Sequence, residues 1–192
     1  MRALVMDGCE TAPAGTTGPH VLLRDAMEGR GWQVETLHLC EMDIAPCAGC
    51  FGCWTRTPGE CVVADAARDV ARAYVGSELV ALLTPVRFGG YGYHLKKAVD
   101  RLIPNISPLF TVLHGEVHHA RRYLRYPAVL GVGILPGPDT EGEAIFSRLV
   151  ERNAINMRAP RHAAVTIQTS SEAEESLNAL RAALVRVEGG ER

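Results

Sequence analysis

Five short strand-like runs, each separated from the next by a segment of helical period, constrain the fold of this chain more than any other feature. Ala3 to Met6, Leu79 to Leu83, Val129 to Leu135 and Ala163 to Ile167 are almost wholly apolar, as expected of strands buried on both faces. Trp32 to Leu39 alternates and reads as the second strand in chain order. Between them, a helix with Thr16 or Thr17 as its cap and Pro19 in its first turn carries Val21, Leu22 and Met27, and Gly31 ends it. A second helix is expected from Ala64 to Tyr74, with Gly76 as its stop. A third carries Leu95, Ala98, Val99 and Leu102 up to Pro104, and a fourth starts at Thr140. Ser171 and Glu174 form a capping-box signature for the last. Strands alternating with helices imply right-handed crossovers and an α/β doubly wound five-stranded parallel sheet, helices on both faces, in the order 2-1-3-4-5. At 192 residues one domain is expected, interrupted by a cysteine-rich loop at 45–62 and a long loop or excursion at 104–126.

In that strand order, ligands bind beyond the carboxyl ends of the strands, at the switch point between the first and third. The geometry selects three loops: Asp7 to Gly18, Pro85 to Tyr91, and Leu135 to Thr140. In the first, Gly8 with Thr11, Thr16 and Thr17 leads into a helix amino terminus, where free backbone N–H groups and hydroxyls suit a phosphate. Neither the nucleotide triphosphatase spacing nor the dinucleotide Gly-x-Gly-x-x-Gly fingerprint is present. The second loop reads Thr-Pro-Val-Arg-Phe-Gly-Gly-Tyr-Gly-Tyr from Thr84, its glycines letting backbone approach a flat ligand while aromatic side chains cover it. The third contributes Pro136 and Gly137.

Cys47, Cys50, Cys53 and Cys61 follow the spacing C-x2-C-x2-C-x7-C. The two-residue gaps let three thiolates converge around a tight turn, and a fourth follows a short loop later. Such a set suits a cubane iron–sulfur cluster or a tetrahedral zinc, and free or redox-active thiols are the third reading. The last gap differs from the bacterial ferredoxin run. Cys9 and Cys40 read as structural thiols. His118 and His119 read as surface polarity or a subunit contact, with cover for a neighbouring subunit's ligand as the sharper alternative.

A formal charge of −2, with 22% charged residues, leaves little electrostatic attraction for nucleic acid or a membrane surface. Arg121, Arg122 and Arg125 form a local basic stretch that reads as a solvated face. The apolar run at the amino terminus is too short for a signal-peptide core or a membrane span, so a cytoplasmic location is expected. A stable disulfide framework is not expected in that compartment.

The segment Pro85-Val-x-Phe-Gly followed by Leu95-Lys-x-x-x-Asp-Arg resembles the flavodoxin-like NAD(P)H-dependent FMN reductases. The resemblance implies FMN as cofactor, with Pro85, Val86, Phe88, Gly89 and Gly90 lining the isoalloxazine ring and the first loop holding the phosphate. Arg87 departs from the pattern, which usually has an aromatic there; it is a candidate flavin, substrate or nicotinamide-phosphate contact. Asp100 and Arg101 are expected to fix helix and loop, and no side chain is assigned as general acid or base. The four cysteines resemble those of the iron–sulfur flavoproteins, where a [4Fe–4S] cluster exchanges electrons with FMN. Asp65 retains one carboxylate where relatives often have two. The implied function is an FMN oxidoreductase taking electrons from NAD(P)H or a ferredoxin-like donor to a small acceptor, as a homodimer or homotetramer. Alternatives on the same scaffold are a flavodoxin-like electron carrier and a thiol or metal sensor.

Overall fold

The structure is a computed structural model and describes residues 1–10 and 18–189. Its centre is strand β1 (Arg2–Asp7), which sends Ala3 and Val5 to one face and Leu4 and Met6 to the other, all four buried. A strand apolar on both sides must be covered on both sides, and the chain supplies the cover in two layers. Helix α1 (Pro19–Glu28) and the carboxyl-terminal α6 (Ala173–Glu188) pack Leu23, Met27, Leu180 and Leu184 onto one face. Helices α3 (Ala67–Gly76), α4 (Tyr93–Asp100) and α5 (Thr140–Asn156) bring Tyr74, Leu95, Phe146 and Val150 to the other. A single turn, α2 (Gly52–Thr55), lies within the cysteine loop.

The remaining strands are β2 (Gln33–His38), β3 (Leu79–Arg87), β4 (Gly90–Tyr91), β5 (Ile106–Leu113), β6 (Glu116–Arg121), β7 (Ala128–Leu135) and β8 (His162–Gln168). The main sheet runs β2-β1-β3-β7-β8, all parallel, with β4 paired antiparallel to the end of β3. With the stub and the β5–β6 pair set aside, this is the expected 2-1-3-4-5 order, a flavodoxin-like sheet.

Several local expectations are corrected. The 104–126 excursion is not a loop: after a 3-10 turn at Ile103–Asn105, β5 and β6 form an antiparallel hairpin. Its turn residues His114 and Gly115 both have positive φ, 51° and 79°, as a two-residue primed turn requires. Helix α3 starts three residues later than expected, because the Asp65 carboxylate accepts from the Ala67 N–H at 3.1 Å and holds the entry. Gly18, not a threonine, occupies the cap position of α1, and Thr16 and Thr17 lie outside the described residues. Glu172 precedes α6 without a side-chain cap, so the Ser171–Glu174 box does not form.

Thr140 does not cap α5 either; Asp139 does, its Oδ1 accepting from the Gly142 N–H at 2.9 Å. Asp139→Ala is therefore expected to cost about 1 kcal/mol, and Tm by roughly 2–4 °C. Thermal unfolding of the variant followed by circular dichroism checks this, and an unchanged Tm would count against the cap. Among the described residues no helix is long and apolar enough to cross a membrane.

Candidate functional site

Two sites lie at the carboxyl-terminal edge of the sheet and at opposite ends of α4. The first is a pocket of about 520 Å³ across the ends of β1, β3 and β7, within the size range of small-molecule sites. One wall is Gly8, Cys9 and Glu10, directly after β1. The floor and opposite wall are Pro85 and Arg87 from β3 and Tyr93 and His94 from the first turn of α4. Ile134 and Thr169 close it from β7 and from just beyond β8.

The walls are held by a few buried polar contacts. Thr84 is fully buried, and its hydroxyl accepts from the Gly92 N–H at 2.8 Å, tying the end of β3 to the start of α4. Asp7 is also buried; it accepts from the Cys9 N–H at 3.0 Å, and the His38 ring lies 3.1 Å from its other oxygen. Burial first, and then the Asp7 carboxylate, push the Cys9 thiol well above its ordinary range, so it stays protonated, in line with a structural thiol. The Nδ1 of His94 is buried and has no hydrogen-bond partner among the described residues.

The expected flavin contacts divide. Gly8, Pro85 and Arg87 line the pocket. Pro85, Val86 and Arg87 are strand residues rather than loop: β3 stays in register with β7 as far as Pro85, opposite Ile134, and its last two residues, Val86 and Arg87, pair with Tyr91 and Gly90 of β4. Val86 is consequently buried in the core. The turn that follows is Phe88–Gly89, with φ of 51° and 73°, which reverses the chain into Gly90 and β4. This puts Phe88 at the apex, 104% exposed and covering nothing among the described residues. Gly89 packs so closely on Ile145 that a Cβ there would overlap it. Pro136 is exposed, and Pro136 and Gly137 do not line the pocket.

Thr11, Thr16 and Thr17 lie outside the described residues. The Gly8 N–H donates to the Leu83 carbonyl at 2.8 Å, so this one amide is engaged at the end of the sheet. Cys9, Glu10, His94 and Thr169 were not among the contacts read from the sequence, and Tyr93 stood in the aromatic loop without being assigned one. The signal for Tyr93 and His94 was the Gly92 cap, which starts α4 early enough to turn both residues toward the switch point.

The second site is the cysteine loop. Cys47, Cys50, Cys53 and Cys61 line one small pocket whose other walls are largely apolar. Cys53 is buried, Cys61 half-buried, Cys47 and Cys50 exposed. Burial, and then the neighbouring Cys61, push the Cys53 thiol above its ordinary range. The four thiols suit iron–sulfur ligation in kind and number. They share a pocket without being gathered about one point: among the described residues no group of three or more His, Cys, Asp or Glu side chains is placed to hold a metal ion.

Arg101 closes this pocket from below. Its two terminal nitrogens each lie 2.8 Å from an oxygen of Asp65, and it further contacts the Ala45 carbonyl and the Cys61 sulfur. Asp100 pairs instead with Lys96 on the surface. Trp54 donates to the carbonyls of Ile103 and Ile106 at 3.2 and 3.1 Å and stacks on Phe51. His119 packs between Trp54 and Phe110 and donates to the Ser107 carbonyl at 2.8 Å, which couples the hairpin to the cysteine loop. His118 is buried, its Nε2 on Glu116 at 3.0 Å. Neither histidine is simple surface polarity.

The fold defines a class first: a flavodoxin-like α/β sheet with its pocket at the switch point. Over its whole length the chain is similar to an NAD(P)H:quinone oxidoreductase from Methanothermobacter marburgensis, with a TM-score of 0.73, 12% identity and coverage of 98% of that chain. It is also similar to an FMN-dependent NADH-azoreductase from Bacillus anthracis in complex with FMN, with a TM-score of 0.64 and 10% identity over 98% of each chain. At such identities the likeness concerns the fold. Two curated proteins are nearer in sequence. One is an iron-sulfur flavoprotein of Archaeoglobus fulgidus, 32% identical over 78 residues, which are 41% of this chain and 34% of that protein. The other is an iron-sulfur flavoprotein of Methanocaldococcus jannaschii, 27% identical over 107 residues, 54% of this chain and 53% of that protein. The match thus spans about a third and about half of these relatives' lengths. No family model matches the chain.

Proposed function

We propose that this chain is a flavin oxidoreductase. It holds FMN in the switch-point pocket, takes electrons from NAD(P)H or a ferredoxin-like protein, and passes them to a small acceptor such as a quinone, a free flavin or oxygen. The observation that carries this reading is the pocket of about 520 Å³ itself, at the position where sheets of this order bind ligands. The FMN-bound azoreductase of the same fold supports it.

FMN, when bound, supplies the hydride and single-electron chemistry, and the chain supplies orientation. Pro85, Tyr93 and Ile134 offer apolar surface to a flat ring, with Arg87 and His94 as the polar groups beside them. The Thr84–Gly92 bond fixes the angle between the strand end and helix α4. Fluorescence titration of the purified protein with FMN is expected to saturate at about one per chain, with quenching of the flavin. If no flavin is retained and added FMN does not bind, the reading fails. Steady-state oxidation of NADH and NADPH with several acceptors then separates a catalyst from a carrier, which turns over negligibly without a reductase.

A finer reading is that the four cysteines bind a [4Fe–4S] cluster. The shared pocket and the names of both curated relatives support it. Loading would draw the exposed Cys47 and Cys50 inward, so metal uptake and ordering of the loop are coupled. Anaerobic reconstitution is expected to yield about four irons and four sulfides per chain. Zinc alone, without flavin, favours a metal sensor.

A further inference from the structure

Helix α4 begins in the flavin pocket with Tyr93 and His94 and ends against the cysteine pocket with Arg101, seven residues or roughly 10 Å further along its axis. We propose that Arg101 is a positioning residue for the thiol pocket: it fixes the Cys61 sulfur and, by donating to it, sets the redox potential of the cluster bound there. This rests on the cluster reading above.

Arg101 is 2% exposed, and the placement of its donors is specific. Nη1 and Nη2 form a fork on the two oxygens of Asp65, and Nη1 also reaches the Ala45 carbonyl at 2.6 Å. Asp65 in turn accepts from the Ala45 N–H at 3.0 Å, so the ion pair closes a ring around the start of the cysteine loop. Nη2 retains a second donor direction and spends it on the Cys61 sulfur, at 3.3 Å. The backbone of the same cysteine is held separately, its carbonyl accepting from Arg68 Nε at 2.9 Å. Backbone and sulfur of Cys61 are thus fixed by different arginines.

Among the described residues, Arg101 is also the only charged side chain lining this pocket. A pocket held together by packing alone has no need of a buried guanidinium, which is costly to desolvate and is retained only with close partners. A donor aimed at a ligating sulfur has a definite electrostatic consequence. It stabilises the more negative, reduced state of the cluster and so raises its potential. Lysine cannot substitute, because one ammonium cannot span both Asp65 oxygens and reach the sulfur as well.

The test uses the full chain, reconstituted anaerobically with ferrous iron and sulfide, as wild type, Arg101→Lys, the double variant Asp65→Asn/Arg101→Gln, and Arg148→Gln. The double variant leaves no unpaired buried carboxylate, which guards against simple misfolding. Arg148, exposed and paired with Glu151 on α5, controls for loss of a distant charge. Circular dichroism reports folding, iron analysis reports occupancy, and an EPR-monitored redox titration gives the cluster's midpoint potential.

The expected result is a lower potential in Arg101→Lys and in the double variant, by at least tenfold in the reduced-to-oxidised ratio. For one electron that is about 59 mV, and Arg148→Gln should not shift. Loss of iron from the two Arg101 variants while they remain folded also supports the assignment. Folded Arg101 variants with wild-type iron content and wild-type potential overturn it, leaving Arg101 as packing alone. A wild-type chain that takes up no iron overturns the cluster reading and this inference together. The two failures are distinct, since one is seen in the wild type and the other only in the variants.

Discussion

Replacing Asp65 by alanine is expected to lower folding stability by about 3–5 kcal/mol, the cost of breaking a buried ion pair from one side. The carboxylate is nearly inaccessible, faces the Arg101 fork at 2.8 Å on each oxygen, and also accepts the N–H groups of Ala45 and Ala67. Its removal leaves a buried guanidinium without a counter-charge and frees both ends of the cysteine loop. For a chain of this size the change corresponds to a fall in Tm of roughly 6–20 °C.

The pH dependence provides a second, independent check. Burial pushes the Asp65 carboxyl up, but Arg101 and the amides of Ala45 and Ala67 outweigh it and hold the group below its ordinary value of 3.8. A carboxylate whose folded pKa is depressed contributes stability that is fully present above the unfolded pKa and is lost as pH falls through the folded one. The gap between wild type and Asp65→Ala should therefore be flat from about pH 5 to 8 and narrow below about pH 4. Urea denaturation of the metal-free proteins at neutral and acid pH measures both. A gap under about 1 kcal/mol at neutral pH, or one that does not narrow in acid, would place the pair among those that contribute little.

The sheet was legible because its signal is redundant: Leu4, Met6, Val80 and Leu82 would each have to be buried whatever the loops did. The hairpin was not legible, because His114, His118, His119 and Pro108 obscure the β-forming run Phe110 to Leu113, and His-Gly is an uncommon pair for a primed turn. Helix starts were misplaced for a related reason. Thr140 and Ser171 are good caps by type, but a cap acts only where the backbone turns. That point is set at Asp139 and Glu172 by how β7 and β8 end.

The pocket was legible as a location and only partly as a set of residues. Strand order alone put it at the ends of β1 and β3, and Pro85 and Arg87 follow from that. The difference between Val86, turned into the core, and Arg87, turned out, depends on whether β3 continues past Thr84. A proline normally argues against a central strand; here the last residues of β3 tolerate it. The cysteine pocket was visible in its spacing, while its anchor was divided between Ala45, Asp65 and Arg101, which no sequence window contains together.

Gly8→Ala is expected to weaken FMN binding by at least about tenfold, or ~1.4 kcal/mol, while costing about 1–3 kcal/mol of stability through overpacking. A Cβ on Gly8 would lie 2.6 Å from the Leu95 Cβ, 2.8 Å from its amide nitrogen and 3.1 Å from its Cα. Two of those atoms are backbone, so no side-chain rotation relieves the overlap, and either the end of β1 or the first turn of α4 must move. These segments carry opposite walls of the pocket, Cys9 and Glu10 on one side, Tyr93 and His94 on the other. Displacing either one changes the width that a flat ring must fit. Gly137→Ala is the matched control. It lies in the third loop predicted from sequence, and its Cβ would meet nothing within 4 Å, so its FMN affinity should stay within about twofold of wild type, ~0.4 kcal/mol. If Gly8→Ala binds FMN as tightly as Gly137→Ala does, the flavin does not sit between β1 and α4, and the switch-point pocket loses its assigned ligand.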